Sequence, residues 1–162
     1  MEIKISPFSQ LNALKQKDYL PKIIDWHHQQ WQNLHENFQP QQRLTKYINE
    51  YCGDDLPMMI VASEKDLLGT VAIEAIDINA EDINKKKNLW VSMLYVDKKK
   101  RNKGVGRALL QYAIQKMKNK EYQYMFLYTH EQSQFYKNAG WKKIHSPTHE
   151  NSNFDVFRYS LK

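Results

Sequence analysis

The sequence predicts an α/β protein built on one central, mixed and mostly antiparallel sheet flanked by helices. Three observations carry that expectation. Residues 1–55 pattern mainly as helices, short β-branched and aromatic runs recur from Met58 onward, and a basic, glycine-punctuated loop joins one such run to a helical repeat.

Ile3 and Ile5 suit a short first strand. From about Leu11 to Leu34 the pattern is helical, with Pro21 starting or kinking a helix and Ile23, Trp26, Gln30 and Leu34 on one face. A second helix from about Pro40 to Tyr51 carries Leu44, Tyr47, Ile48 and Tyr51 and stops near Gly53 and the turn-forming Asp54–Asp55. These helices are expected to cover one side of the sheet. Met58–Ser63 and Leu67–Ile78 read as antiparallel strands around a tight Glu64–Lys65–Asp66 connection. Asn79–Asn88 is polar and reads as a loop. Strand Leu89–Val96, helix Gly104 to about Asn119, strand Gln123–Thr129, helix Glu131–Asn138, strand Trp141–Ile144 and strand Phe154–Leu161 complete the order. A length of 162 residues suffices for one domain with a sizeable core and is short for two.

The stretch from Leu89 to Ala108 is the most informative. Seven of the eight residues from Leu89 to Val96 are apolar or aromatic, which suits a buried strand. Gly104 and Gly106 then remove Cβ atoms where the chain turns, so that consecutive backbone N–H groups can approach an anion. Leu109, Tyr112, Ala113, Lys116 and Met117 follow at helical spacing, which sets the positive end of a helix at the same place. The pattern is that of a pyrophosphate-binding device. It is not a Walker A loop, because Gly106–Arg107–Ala108 lacks both the lysine and the magnesium-binding hydroxyl. A dinucleotide fingerprint fits poorly, because Leu109 stands where a third small residue is required.

Arg101–Asn102–Lys103–Gly104–Val105–Gly106 resembles the R/Q-x-x-G-x-G/A signature of the GNAT superfamily of acyl-CoA-dependent N-acetyltransferases. A second apolar run, Tyr124–Tyr128, and the ending Phe135–Tyr136–Lys137–Asn138–Ala139–Gly140–Trp141 follow in the order and spacing of that family's F-Y-x-x-x-G-[FWY] segment. The resemblance covers Leu56–Lys162. It implies a single domain over residues 1–162, with an acceptor-side helical region over 1–55, a coenzyme-binding core over 56–162, and a sheet splayed between the fourth and fifth strands. It implies further that Arg101, Asn102, Lys103, Gly104, Val105, Gly106 and Arg107 hold the coenzyme. The main chain of Leu94, Tyr95 and Val96 would bond the pantetheine amides; where many relatives place an asparagine, either Gln132 or Ser133 replaces it or the contact is absent.

Amide formation requires the acceptor amine to lose a proton and the departing thiolate to be stabilised. Tyr136 occupies the position whose tyrosine points at the coenzyme sulfur in many relatives, which implies that it is the proton donor to the departing thiolate; otherwise Phe135 and Tyr136 are packing on an amphipathic helix. Glu74 interrupts an apolar strand, so its carboxylate either faces solvent or stands in the acceptor cleft as a base. Ser92 replaces a glutamate carried by some relatives and could order a proton-relaying water.

A net charge of +6 raises the question of nucleic acid, but no zinc module, RNP-like strand or recognition helix accompanies the basic residues. Coenzyme A, with its pyrophosphate and 3′-phosphate, suffices to explain a basic rim. Lys98–Lys100 either contacts phosphate or forms a solvated turn, and Lys85–Lys87 reads as a solvated hairpin tip. His130–Glu131 does not continue to a zinc motif, because Gln134 stands where the second histidine belongs. His27, His28 and His35 read as surface or partly buried side chains, and His145 and His149 as loop residues flanking Pro147. Cys52 excludes an internal disulfide and reads as a half-buried side chain near a helix end.

The N-terminus lacks an apolar signal core and no run reaches membrane-spanning length, so a cytoplasmic, membrane-free protein is expected. The expectation is an enzyme that uses acetyl-CoA as cosubstrate, without a metal. It would acetylate a primary amine of a small molecule or peptide, as monomer or homodimer. The alternative from another class is a non-catalytic acyl-CoA-sensing or nucleic-acid-binding module on the same fold.

Overall fold

In the computed structural model, which describes residues 2–32, 39–76, 88–145, 148–149 and 152–162, Asn12 opens the first long helix. Its side chain accepts from the Lys15 N–H at 2.9 Å, satisfying one of the unpaired donors of a helix start. The helix, α1, runs over Ala13–Trp31 and continues through Pro21. Its buried face is Tyr19, Ile23, Ile24 and His27, so His27 takes the inward position expected of Trp26, which is only partly buried. Helix α2 (Pro40–Lys46) begins on a proline, whose missing N–H costs nothing there, and passes into one wide π-helical turn, Tyr47–Tyr51, that buries both tyrosines.

One seven-stranded sheet has the order β1-β2-β3-β4-β5-β9-β6. Its strands are β1 (Lys4–Pro7), β2 (Met58–Ser63), β3 (Leu67–Ile76), β4 (Asn88–Val96), β5 (Tyr124–Thr129), β6 (Lys142–His145) and β9 (Asp155–Ser160). β1 with β2, β2 with β3, β5 with β9 and β6 with β9 pair antiparallel. β4 and β5 are parallel, with Leu89 opposite Met125 and Trp90 opposite Phe126. Helix α3 (Val105–Met117) precedes β5 and the short helix α4 (Ser133–Asn138) follows it. The fold class is therefore as expected.

Most element ends lie within two residues of the sequence expectation. α4 starts at Ser133 instead of Glu131 because the Gln132 N–H donates to Thr129 Oγ1 at 3.0 Å, holding a turn there. The loop expected to hold His145 and His149 is corrected: His145 closes β6, and His149 lies in β7 (Thr148–His149), paired with β8 (Ser152–Asn153). Strands of two residues are too short to carry a period-two signal. Asn79–Lys87, with the Lys85–Lys87 tip, and Leu34, His35, Asp77, Ile78 and Pro147 lie outside the described residues.

The chain packs as two compact units, Met1–Ile73 with Met93–Ala113, and Glu74–Ser92 with Ile114–Lys162. In the first, Phe8, Tyr19, Ile23, Tyr47, Tyr51, Met59 and Val61 form the core. In the second, Leu89, Met125, Leu127, Trp141, Phe157 and Leu161 are buried. Each aliphatic side chain so buried contributes about 1.5–3 kcal/mol.

Candidate functional site

In the first unit the glycine loop is built from Asp97 onward. Its N–H donates to the Leu68 carbonyl at 2.9 Å, and its carboxylate accepts from the Lys99 N–H at 3.1 Å, closing a 3-10 turn over Lys98–Lys100. Arg101 then folds back: Nε donates to the Val96 carbonyl at 3.0 Å and the guanidinium lies 5.4 Å from the Tyr95 ring centre. Asn102 and Gly104 are left-handed, with φ of +59° and +81°. Asn and Gly are the residues that adopt this conformation at least cost.

Gly104 hands the chain to α3, its carbonyl accepting from the Ala108 N–H at 3.0 Å, while Val105 is buried and pins the helix start. A Cβ placed on Gly104 would meet nothing within 4 Å, so the space above the turn is open. Arg101, Asn102, Lys103, Gly104 and Arg107 are exposed. Open space, left-handed turns, basic side chains and the positive end of a thirteen-residue helix fit a pyrophosphate group. Gly69 does a different job: a Cβ there would lie 2.5 Å from the Tyr95 carbonyl oxygen, so glycine is what lets β3 approach β4.

Leu94, Tyr95 and Val96 end β4. The Tyr95 ring is held by Trp26 at 5.2 Å and by Arg101, which makes it part of the support under the loop. The Val96 carbonyl is engaged by Arg101.

The second unit holds Tyr136, Gln132, Ser92 and Glu74. Tyr136, in α4, is buried among Phe135 at 5.1 Å, Phe157 at 5.9 Å and Trp141 at 6.4 Å, measured between ring centres. Burial pushes its phenol up to about 12. Ser133 Oγ donates to the Asp155 carboxylate, whereas the Gln132 side chain is exposed. Glu74 is half-buried on β3. Ser92 Oγ is buried without a hydrogen-bond partner, as are Trp90 Nε1 and Asn88 Nδ2. At i, i+2 and i+4 on one strand, these three share a face. Trp90 stacks on Phe126 at 5.5 Å.

Sequence reasoning missed a buried hydrogen-bonded cluster in the first unit. His27, expected at the surface or partly buried, is fully buried between Tyr47 Oη, 2.7 Å from Nδ1, and Thr70 Oγ1, 2.8 Å from Nε2. Burial, with the Arg43 charge adding to it, pushes the imidazole down to about 3. The available signal was its helical spacing from Tyr19 and Ile23. Cys52 sits half-buried after the π-helical turn, its thiol pushed up to about 11 by burial. Among the described residues no group of three His, Cys, Asp or Glu side chains could hold a metal, and no helix is long and apolar enough to cross a membrane.

A sequence model of the Acetyltransferase (GNAT) family matches residues 20–141. No curated protein matches the chain. Among solved structures, a GNAT-family acetyltransferase from Staphylococcus aureus is 20% identical with a TM-score of 0.68, over 99% of this chain and 100% of that one. An aminoglycoside 6′-N-acetyltransferase complexed with coenzyme A is 14% identical, with a TM-score of 0.71 over 98% and 97%. Arabidopsis thaliana NAA60 in complex with acetyl-CoA is 14% identical, with a TM-score of 0.67 over 98% of each chain. At these identities the likeness is one of fold.

Proposed function

Because the chain belongs to the acetyltransferase (GNAT) family, we propose that it is an N-acetyltransferase moving an acetyl group from acetyl-CoA to a primary amine of a small molecule or peptide, by direct transfer in a ternary complex. Its main support is the Arg101–Arg107 loop, where left-handed turns, open space and a helix start converge. Arg101, Lys103 and Arg107 offer positive charge to the phosphates, and the N–H groups at Gly104, Val105 and Gly106 offer donors. The main chain from Leu94 to Val96 bonds the pantetheine amides, with Gln132 as a further side-chain contact. An amine acceptor fits the name of the aminoglycoside 6′-N-acetyltransferase, and the cosubstrate fits the acetyl-CoA bound to NAA60. Cytoplasmic action as a monomer or homodimer completes the proposal.

In the transfer, a bond forms between the amine nitrogen and the thioester carbonyl carbon, the carbon–sulfur bond breaks, and the nitrogen gives up a proton. Tyr136 stabilises the departing sulfur. A free thiol ionises near 8.5, so a phenol held near 12 keeps its proton and donates a hydrogen bond to the thiolate, with solvent completing protonation. Glu74 takes the amine proton directly, or through a water ordered by Ser92 Oγ.

Thermal unfolding with acetyl-CoA, coenzyme A, dephospho-coenzyme A, NAD and ATP tests the proposal. A selective rise with the first two, followed by thiol release with an amine panel, is the expected result. Selective coenzyme binding without turnover would leave an acyl-CoA sensor in its place. No rise with either, together with steeply salt-dependent DNA or RNA binding, would replace it with the nucleic-acid-binding alternative.

A further inference from the structure

Met93 stands within β4 at φ +53°; with Asn102 it is one of two left-handed non-glycine residues among those described. Asparagine tolerates that conformation by bonding locally, but methionine has no such means, so its surroundings must impose it. One contact reaches that peptide from the neighbouring strand. Thr70 Oγ1 donates to the Met93 carbonyl at 2.9 Å.

The protons behind that bond can be assigned. A threonine hydroxyl carries one hydrogen, and Thr70 spends it on Met93, so toward His27 its oxygen can only accept. His27 Nε2 therefore carries the imidazole proton and donates to Thr70. Nδ1 is left bare and accepts from the Tyr47 hydroxyl. Tyr47, His27 and Thr70 are all 0% exposed, so water does not compete for any of these groups. The chain Tyr47 to His27 to Thr70 to Met93 thus runs in one direction, each member polarised by the one before it.

We propose that Tyr47, His27 and Thr70 are positioning residues that hold the Met93 peptide in its left-handed turn and thereby fix the adjoining Leu94–Val96 backbone for the coenzyme. The inference rests on the functional reading given above, since Leu94–Val96 matters to catalysis only if acetyl-CoA is bound there. It joins the helical region, through α1 and the π-helical turn, to the strand that serves the cosubstrate. All four residues belong to the first compact unit.

Three variants test it: Thr70→Val, which keeps the shape and removes the hydroxyl; Thr70→Ser, which restores it; and Tyr47→Phe, which removes only the far donor. Amide hydrogen exchange is measured without ligand, and acetyl-CoA affinity by titration calorimetry, well below each variant's melting temperature. Thr70→Val should speed exchange at Leu94 and Tyr95 and leave Met59–Val61 in β2 unchanged. It should also weaken acetyl-CoA binding about tenfold or more. Thr70→Ser should return both to within about twofold of the wild type, and Tyr47→Phe should show a smaller loss in the same direction. Should Thr70→Val fail to fold, Tyr47→Phe carries the test, and wild-type exchange at Leu94 and Tyr95 with wild-type affinity in that variant would overturn the proposal. Wild-type affinity and exchange in Thr70→Val, or no recovery in Thr70→Ser, would overturn the proposal while the functional reading stood. A wild-type protein that does not bind acetyl-CoA would overturn that reading instead, and the ligand-free exchange would still show whether the relay holds Met93.

Discussion

Arg101 Nε donates to the Val96 carbonyl at 3.0 Å, fastening the first residue of the glycine loop to the last residue of β4. The same guanidinium covers the Tyr95 ring. Arg101 is thus a strut as well as a positive charge. Lysine keeps the charge but loses the planar fork that reaches the carbonyl while covering the ring. Arg101→Lys should weaken coenzyme A binding about threefold and Arg101→Ala about tenfold or more, measured by calorimetry.

Gly69 and Gly104 should fail in different ways. Gly69→Ala drives a Cβ to 2.5 Å from the Tyr95 carbonyl oxygen and should cost about 3 kcal/mol of stability in urea unfolding. Gly104→Ala meets open space but must hold φ at +81°, costing about 1–2 kcal/mol. It should nevertheless impair coenzyme binding more for each kcal/mol lost, because the strain falls in the loop itself.

Tyr136→Phe, which removes the hydrogen bond to the departing sulfur, should lower kcat about a hundredfold and leave the coenzyme dissociation constant within about twofold of the wild type. With the phenol near 12, activity of the native enzyme should show no alkaline loss from this residue below about pH 11. The folded phenol lies above its ordinary value of about 10, so its stabilising contribution is complete below pH 10 and is lost as pH rises toward 12. Stopped-flow turnover and pH-dependent unfolding check the two statements separately.

His27 acts at the other end of the scale. Its folded value of about 3 lies below the ordinary 6.5, so the unfolded chain takes up a proton that the folded chain refuses. Stability is complete above pH 6.5 and falls as pH drops toward 3. Between pH 6.5 and 5, where carboxylates titrate little, the loss should be about 1–2 kcal/mol. His27→Gln should flatten that slope in pH-resolved urea unfolding, whatever it does to absolute stability.

Where a residue's role depends on its neighbours in the chain, the sequence was readable. The Arg101–Gly106 turn, the helix after it and the β2–β3 hairpin follow from glycine placement and hydrophobic period, and the structure has them. Where a role depends on distant partners, it was not. Helical spacing from Tyr19 and Ile23 turns His27 rather than His28 inward, but nothing local announces its partner Thr70, forty-three positions away. The left-handed turn at Met93 was hidden for the same reason. An apolar run announces a strand and says nothing of an irregularity held from the neighbouring strand.

Asp155 accepts from Ser133 Oγ at the start of α4 and pairs with Lys143 on β6 at 2.9 Å, so one carboxylate binds helix and sheet together. A helix of six residues has no lifetime of its own in water, where nucleation outweighs the few bonds gained. The tempo of α4 is therefore borrowed. It should open and close with β9 as one cooperative segment, and the Tyr136 ring, packed on Phe157 of that strand, should move with it.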